Sequence, residues 1–267
     1  MSEIISYYNQ FDEWGRLERE PIEYQVNWYY IKKYLPQTGT ILDNGAGPGK
    51  YSMELAKEGY HVTLADLTPR LVDIAKNKAI ELNLKNQFND LLVADARDLN
   101  MLGDEQFDAS LMLGPMYHLQ DEMDRIKAMN ELKRVTKKEG VVFVAFMSRV
   151  RHIFTSLLHP ENWKPNNSVD AINRFSENGC FNHSDKGRFT DAYYFNIEEI
   201  KPFMESYSFE SLELLGSNVG AILNKDSWDY WKAKGEEDKV IKLIIDKATD
   251  PYILGISTHL LYIGRRK

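Results

Sequence analysis

The 267-residue sequence predicts an α/β fold, a mostly parallel sheet with helices on both faces. Two observations carry that prediction. From Thr40 to Met147 short apolar runs alternate with helix-length segments, and crossovers of that length join parallel strands in a right-handed sense. The first run, Ile41-Leu42, breaks into Asp43-Asn44-Gly45-Ala46-Gly47-Pro48-Gly49-Lys50. Its glycines let the backbone fold tightly and approach a ligand at the N-terminus of the next helix. Taken alone, such a turn is also compatible with a plain connection.

Taking the elements in order, Ser2 to Leu35 is rich in aromatics, and Pro21 to Leu35 reads as a helix stopped by Pro36. The earlier part, Tyr7 to Arg16, has no strand pattern and is expected to lie over the ligand as a lid. Tyr51 to Gly59 follows the glycine turn as a helix. His61 to Asp66 reads as a strand, and Thr68-Pro69 supplies a cap and a first-turn proline for a helix carrying Leu71, Ile74, Ala75, Ala79 and Leu82. Leu91 to Ala94 and Phe107 to Leu113 are the next strands, Asp121 to Lys137 a helix, and Val141 to Met147 a fifth strand. Ser148 to Arg188 is punctuated by Pro160, Pro165, Asn166-Asn167 and Gly179. An insertion there, at the carboxyl end of a strand, is either a cap over the substrate or decoration. The pattern resumes with a helix from Asn196 to Ser206, a strand from Phe209 to Leu215, a helical segment from Lys225 to Lys247 and a last strand from Thr258 to Gly264. No internal repeat or low-complexity linker appears. One domain over 1–267 is expected: a helical lid (1–38), a ligand-binding core (39–147), a cap insertion (148–190) and the rest of the sheet (191–267).

Composition narrows the function. A net charge of -7 argues against a partner as anionic as nucleic acid. One cysteine, Cys180, excludes an internal disulfide and argues against a cysteine-rich metal site. His183 and Asp185 lie two apart with no third ligand nearby, so no metal is assigned. The N-terminus has neither a basic nor an apolar leader pattern, and Val141 to Met147 is too short to span a bilayer, so a cytoplasmic location without membrane contact is expected.

Three acidic or glycine-bearing strand ends decide what the glycine turn holds. Asp66 ends the second strand, where a carboxylate can accept hydrogen bonds from ribose hydroxyls. Asp95-Ala96 ends the third, where an acid can take an exocyclic amine, and Leu113-Gly114-Pro115 ends the fourth beside the reactive end of a ligand. A dinucleotide turn needs a third glycine where this chain has Lys50, whereas Asp43 in front of Gly45 offers an acid to an ammonium group. A ligand with adenosine at one end and an amino acid at the other fits these groups better than NAD.

Asp43-Asn44-Gly45-Ala46-Gly47-Pro48-Gly49, Leu64-Ala65-Asp66-Leu67-Thr68, Val93-Ala94-Asp95-Ala96 and Phe107 to Pro115 together resemble the successive motifs of the class I S-adenosylmethionine-dependent methyltransferases. Asn44 departs from the small or aliphatic residue common there. The resemblance implies a Rossmann-like seven-stranded sheet with an antiparallel last strand, and S-adenosyl-L-methionine as cofactor. It assigns Asp43, Gly45, Ala46, Gly47, Gly49 and Leu113 to the methionine end, Asp66 and Leu67 to the ribose and adenine, and Asp95 and Ala96 to the adenine ring. Arg16 is a candidate for the methionine carboxylate.

Catalytic candidates are His118 and Tyr117, just after the fourth strand; a histidine is the side chain whose ordinary pKa suits proton transfer near neutrality. Tyr7, Tyr8, Arg188 and Tyr193 are candidates for the substrate side, with Arg188 suited to an acidic group. The function expected is methyl transfer to N, O or C of a small molecule by a monomer or homodimer. RNA or protein methylation, a non-catalytic S-adenosylmethionine-binding sensor or partner subunit, and a dehydrogenase stay open as alternatives.

Overall fold

The computed structural model describes residues 3–15, 21–185, 188–219, 223 and 225–267. Among the described residues, α1 (Glu3–Tyr8) and α2 (Pro21–Tyr34) precede β1 (Thr40–Asn44). Then come α3 (Lys50–Lys57), β2 (His61–Asp66), α4 (Pro69–Glu81), β3 (Phe88–Val93), β4 (Phe107–Met112), α5 (Glu122–Val135) and β5 (Thr136–Met147). The insertion folds as α6 (Arg149–Leu158), α7 (Val169–Asn178) and a short antiparallel pair, β6 (Cys180–Phe181) with β7 (Ala192–Tyr193). The chain closes with α8 (Ile197–Ser206), β8 (Phe209–Gly216), α9 (Lys225–Ala233), α10 (Glu237–Lys247), α11 (Pro251–Ile256) and β9 (His259–Arg266).

Seven strands form one sheet in the order β3-β2-β1-β4-β5-β9-β8. All neighbours run parallel except β9, which is antiparallel to both β5 and β8. The sheet expected from the motifs is therefore present, with its reversed strand slotted between two others. The strand order turns back between β1 and β4, which places a crevice at their carboxyl ends.

Alternation along β5 explains its apolar run. Val142, Val144 and Phe146 pack with Met129 and Leu132 of α5 and Ile200 and Met204 of α8, while Phe143 faces the opposite layer with Val26 and Ile31 of α2. Both faces are covered, so no polar alternation survives in the sequence. Fully burying Phe143 or Phe146 contributes about 2–3 kcal/mol each relative to exposure.

Element boundaries differ from expectation where polar residues mask a strand. β5 begins at Thr136, five residues ahead of the apolar run, because a register shift between Phe107 and Ala109 absorbs Lys137 to Gly140, with Glu139 at φ 62°. β3 begins at Phe88, since an edge strand tolerates exposed Asn89 and Asp90. The segment from Lys225 to Lys247 is two helices broken at Gly235. Within the insertion, Ser148 and Ser168 cap α6 and α7 by accepting hydrogen bonds from Arg151 N and Ala171 N. Their helices pack Phe175, Phe181 and Tyr194 around the buried His152 ring, with centroids 4.4–4.9 Å away.

Candidate functional site

A cavity of about 290 Å³ opens at the carboxyl ends of β1, β2 and β4. The chain reaches it through four strand ends, and the glycine turn after β1 forms its floor. Gly45 N and Ala46 N donate to Ala65 O at 2.8 and 3.1 Å, which ties the turn to β2. Two glycines are required sterically. Gly45 (φ 74°) lies against the Pro115 ring, where a Cβ would collide, and a Cβ on Gly49 (φ 82°) would come within 2.7 Å of Leu64 Cδ1. Lys50, in the place of a third glycine, opens α3 with its ammonium 5.4 Å from the Trp14 ring centroid and 5.7 Å from that of Tyr24.

Two buried carboxylates define the charge of the site. Asp43 is 2% exposed and accepts a 2.6 Å hydrogen bond from Ser52 Oγ. Burial pushes its pKa up to about 6; the Ser52 bond opposes the rise and the nearby Asp66 adds to it. Asp66 accepts from Gly47 N at 2.7 Å through one oxygen and from Thr68 N at 2.8 Å through the other. Burial raises its pKa as well, against the pull of those two amides. Asp95 also faces the cavity, and both of its oxygens are engaged by Arg97, whose Nη2 donates at 2.6 Å and whose Nη1 continues to Asp124.

The donor set can be matched to a ligand. Carboxylates at Asp43, Asp66 and Asp95 call for ammonium, hydroxyl and amine donors, while Leu67, Leu71, Ala94 and Ala96 offer flat apolar surface between them. A pyrophosphate would need clustered donors where these acids stand. The residues therefore fit S-adenosylmethionine and disfavour a dinucleotide.

Of the residues assigned from the sequence, Asp43, Gly45, Ala46, Gly47, Asp66, Leu67, Asp95, Ala96 and Leu113 all line this one cavity. Gly49 lies beneath it, packed on Leu64. Arg16 falls outside the described residues. Asn44, the departure from the motif, is 1% exposed and turns its Nδ2 to Met112 Sδ at 3.9 Å.

The far end of the cavity is aromatic. Tyr8 and His118 both line it, and Tyr8 Oη lies 3.0 Å from His118 Nε2. His118 is set deep in the fold with part of its ring facing the cavity. Burial depresses its pKa to about 4, the Asp191 backbone opposes that, and His259 reinforces it. The imidazole is neutral near pH 7 and too weak a base to match a hydroxyl acceptor. Tyr117 also lines the cavity, stacked against His259, whose Nδ1 is 3.0 Å from Glu23 Oε2.

Three residues proposed for the substrate side are placed differently. Tyr7 stacks on Phe11 and reaches Phe189 rather than lining the cavity. Arg188 is exposed and donates to Asn162 O at 3.4 Å, because the turn before β7 carries it outward. Tyr193 serves packing, with the Arg125 guanidinium 3.8 Å above its ring. The insertion instead meets the site through Phe189, 5.2 Å from the His118 ring, and through Gln120, whose Nε2 donates to Phe181 O and Ala192 O.

Sequence reasoning missed Ser52, Arg97, Gln120 and Asp124. Ser52 had a signal, since it lies on the first turn of the helix behind the glycines. Arg97 was signalled only by its distance of two from Asp95. Asp124 and Gln120 act across 27 and 61–72 residues, and nothing local marks them.

A family model for a methyltransferase domain matches residues 42–144. The chain is 24% identical over 220 residues to glycine/sarcosine/dimethylglycine N-methyltransferase of Actinopolyspora halophila, covering 77% of this chain and 38% of that protein. It is 30% identical over 126 residues to ubiquinone biosynthesis O-methyltransferase of Xylella fastidiosa, covering 47% and 49%. The chain thus spans about half or less of these curated relatives. Among solved structures, 1,6-didemethyltoxoflavin-N1-methyltransferase of Burkholderia thailandensis, with bound 1,6-didemethyltoxoflavin and S-adenosylhomocysteine, shares the fold. Its TM-score is 0.58 at 14% identity, over 99% of this chain and 85% of that one. Among the described residues no helix is long and apolar enough to cross a membrane.

Proposed function

We propose that the chain, whose residues 42–144 match a methyltransferase domain, is a class I S-adenosylmethionine-dependent methyltransferase that moves the methyl group of S-adenosylmethionine to a small-molecule acceptor. The observation that carries this reading is the convergence of Asp43, Asp66, Asp95 and Leu113, from four strand ends, on one cavity. Asp43 and the glycine turn hold the methionine end, Asp66 the ribose, and Leu67, Ala96 and the Arg97-braced Asp95 the adenine. When bound, the cofactor supplies a methyl group already activated on a sulfonium. The protein's task is then to orient an acceptor in line and keep water out, which accounts for several kcal/mol of barrier.

The aromatic lining of the acceptor end supports a small molecule. Tyr8 from α1 and Tyr117 and His118 from the turn after β4 line it, with Phe189 of the insertion packed on His118, an aromatic surface suited to a small organic molecule. Two relatives are named for small acceptors, glycine with its methylated forms and a step of ubiquinone biosynthesis, while a third, 34% identical over 132 residues, is named a tRNA methyltransferase.

Titration calorimetry with S-adenosylmethionine and S-adenosylhomocysteine, followed by methyl-transfer assays on metabolite, RNA and protein pools, tests the reading. Micromolar cofactor binding and label transfer confined to the metabolite pool are expected. Absence of cofactor binding at millimolar concentration, or label entering RNA or protein, would overturn it.

A further inference from the structure

The acceptor end of the cavity has a chemical bias of its own. Gly114 and Pro115 pack directly on the glycine turn, where a Cβ on Gly114 would sit 3.4 Å from Gly45 O. The residues that follow therefore stand next to the methionine end. Those residues are Tyr117 and His118, whose ring centroids are 5.0 Å apart, and Tyr8 joins them at 5.6 Å from His118. Phe189 backs the group at 5.2 Å. Ring faces are electron-rich and attract cationic nitrogen. Glu13 stands at the glycine turn, its Cγ 3.4 Å from where a Gly47 Cβ would be.

We infer that the methyl acceptor is an amine nitrogen, and that Tyr8, Tyr117 and His118 form an aromatic wall that receives the positive charge left on that nitrogen. This rests on the methyltransferase reading above and narrows it. In the step, the nitrogen lone pair forms the new N–CH3 bond as the methyl–sulfur bond breaks. The sulfonium's positive charge ends on the nitrogen. An amine that arrives neutral, as an aryl or heteroaryl amine does near pH 7, needs no proton removed before attack, whereas an alkyl ammonium must first release one to water; a proton on a primary or secondary product departs afterwards to water. A hydroxyl acceptor would need its proton removed first, and a base with a pKa of about 4, as His118 has, is some six units too weak to take it from a phenol-like group near 10. A neutral amine makes no such demand, and its methylation leaves a cation on nitrogen for the rings to stabilise.

The test uses the whole chain loaded with S-adenosylhomocysteine, titrated calorimetrically with benzyltrimethylammonium and, separately, with its anionic counterpart phenylacetate. The ammonium probe is expected to bind at least about tenfold more tightly than phenylacetate. Tyr8→Leu and Tyr117→Leu are each expected to weaken it by about fivefold or more, with retained S-adenosylhomocysteine binding reporting that the variants are folded. If Tyr117→Leu fails that folding check, Tyr8→Leu carries the comparison alone. Equal or tighter binding of phenylacetate, no binding of either probe, or wild-type ammonium affinity in a folded variant would overturn the inference while leaving the cofactor reading intact. Failure of S-adenosylhomocysteine itself to bind would overturn both.

Discussion

Asp43 carries a conflict between stability and binding. Its carboxylate is buried with its pKa pushed up to about 6, so the folded chain prefers the protonated form. Stability is therefore greatest below the ordinary value of 3.8 and falls as pH rises from there through about 6. The ionised group costs at most about 3 kcal/mol at neutral pH. His118 and His152 have the opposite sign: burial depresses them to about 4 and about 3, so their contribution is complete above 6.5 and is lost as pH falls toward those values. The slopes offset one another between pH 4 and 6. Asp43→Asn removes one side of that balance. At pH 7 the ligand-free variant should melt a few degrees higher. Its S-adenosylhomocysteine affinity should fall at least about tenfold, as expected when a charged partner of a ligand ammonium is lost. Calorimetric melting over pH 4–8, paired with titration, checks both. An unchanged affinity would show that Asp43 does not face the ligand's cationic end.

At the scale of elements, α1 is tied across the cavity to α4 and to the turn after β4. Arg70, on the first turn of α4, donates through Nη2 to Tyr8 O at 3.0 Å and Phe11 O at 3.1 Å, while Tyr8 Oη meets His118. Exposed hydrogen bonds of this kind stabilise by about 1 kcal/mol. Arg70→Gln should speed amide exchange over residues 3–15 by roughly fivefold and leave the melting temperature within about a degree, because the segment opens locally. Hydrogen exchange read by mass spectrometry is the measurement. The insertion is secured more firmly. Arg149 is 5% exposed and donates to Tyr194 O, Ser176 O and Glu177 O, joining α6 to the last turn of α7. Arg149→Ala leaves those carbonyls buried and unpaired and should cost about 2–4 kcal/mol in denaturant unfolding. Both contacts were invisible in sequence, since each joins segments 27 to 62 residues apart through backbone atoms that any residue could present.

For the whole molecule, the last strand is structurally central although it is last in the chain. β9 pairs with β5 through Val141 to Met147 and with β8 through Phe209 to Gly216, and Leu260 to Ile263 are fully buried. Truncation before His259 would open two ladders and leave the facing edges of β5 and β8 unpaired. Loss of cooperative thermal unfolding, followed by near-ultraviolet circular dichroism, is the expected result. The same strand shows how tertiary placement adds to a readable pattern. Thr258 to Gly264 reads as a strand in sequence and family resemblance implies its reversed direction, but its slot between β5 and β8 is set by the tertiary structure. His259, at its start, reaches Glu23 of α2, 236 residues away, and stacks on Tyr117 at the cavity edge.

The sequence by itself determined the parallel core, the glycine turn and the acids at the ends of β1, β2 and β3. Each rests on a local rule: apolar period, backbone freedom without Cβ, or a carboxylate at a fixed step from a turn. Only the tertiary structure decided what those acids touch, since Ser52, Arg97 and Asp124 reach them through space. It also decided that Tyr8 and Phe189 meet at His118 while Arg188 and Tyr193 turn away. Side-chain direction at the rim depends on how α1 and the insertion dock, and docking is set by packing between distant segments that no local pattern encodes.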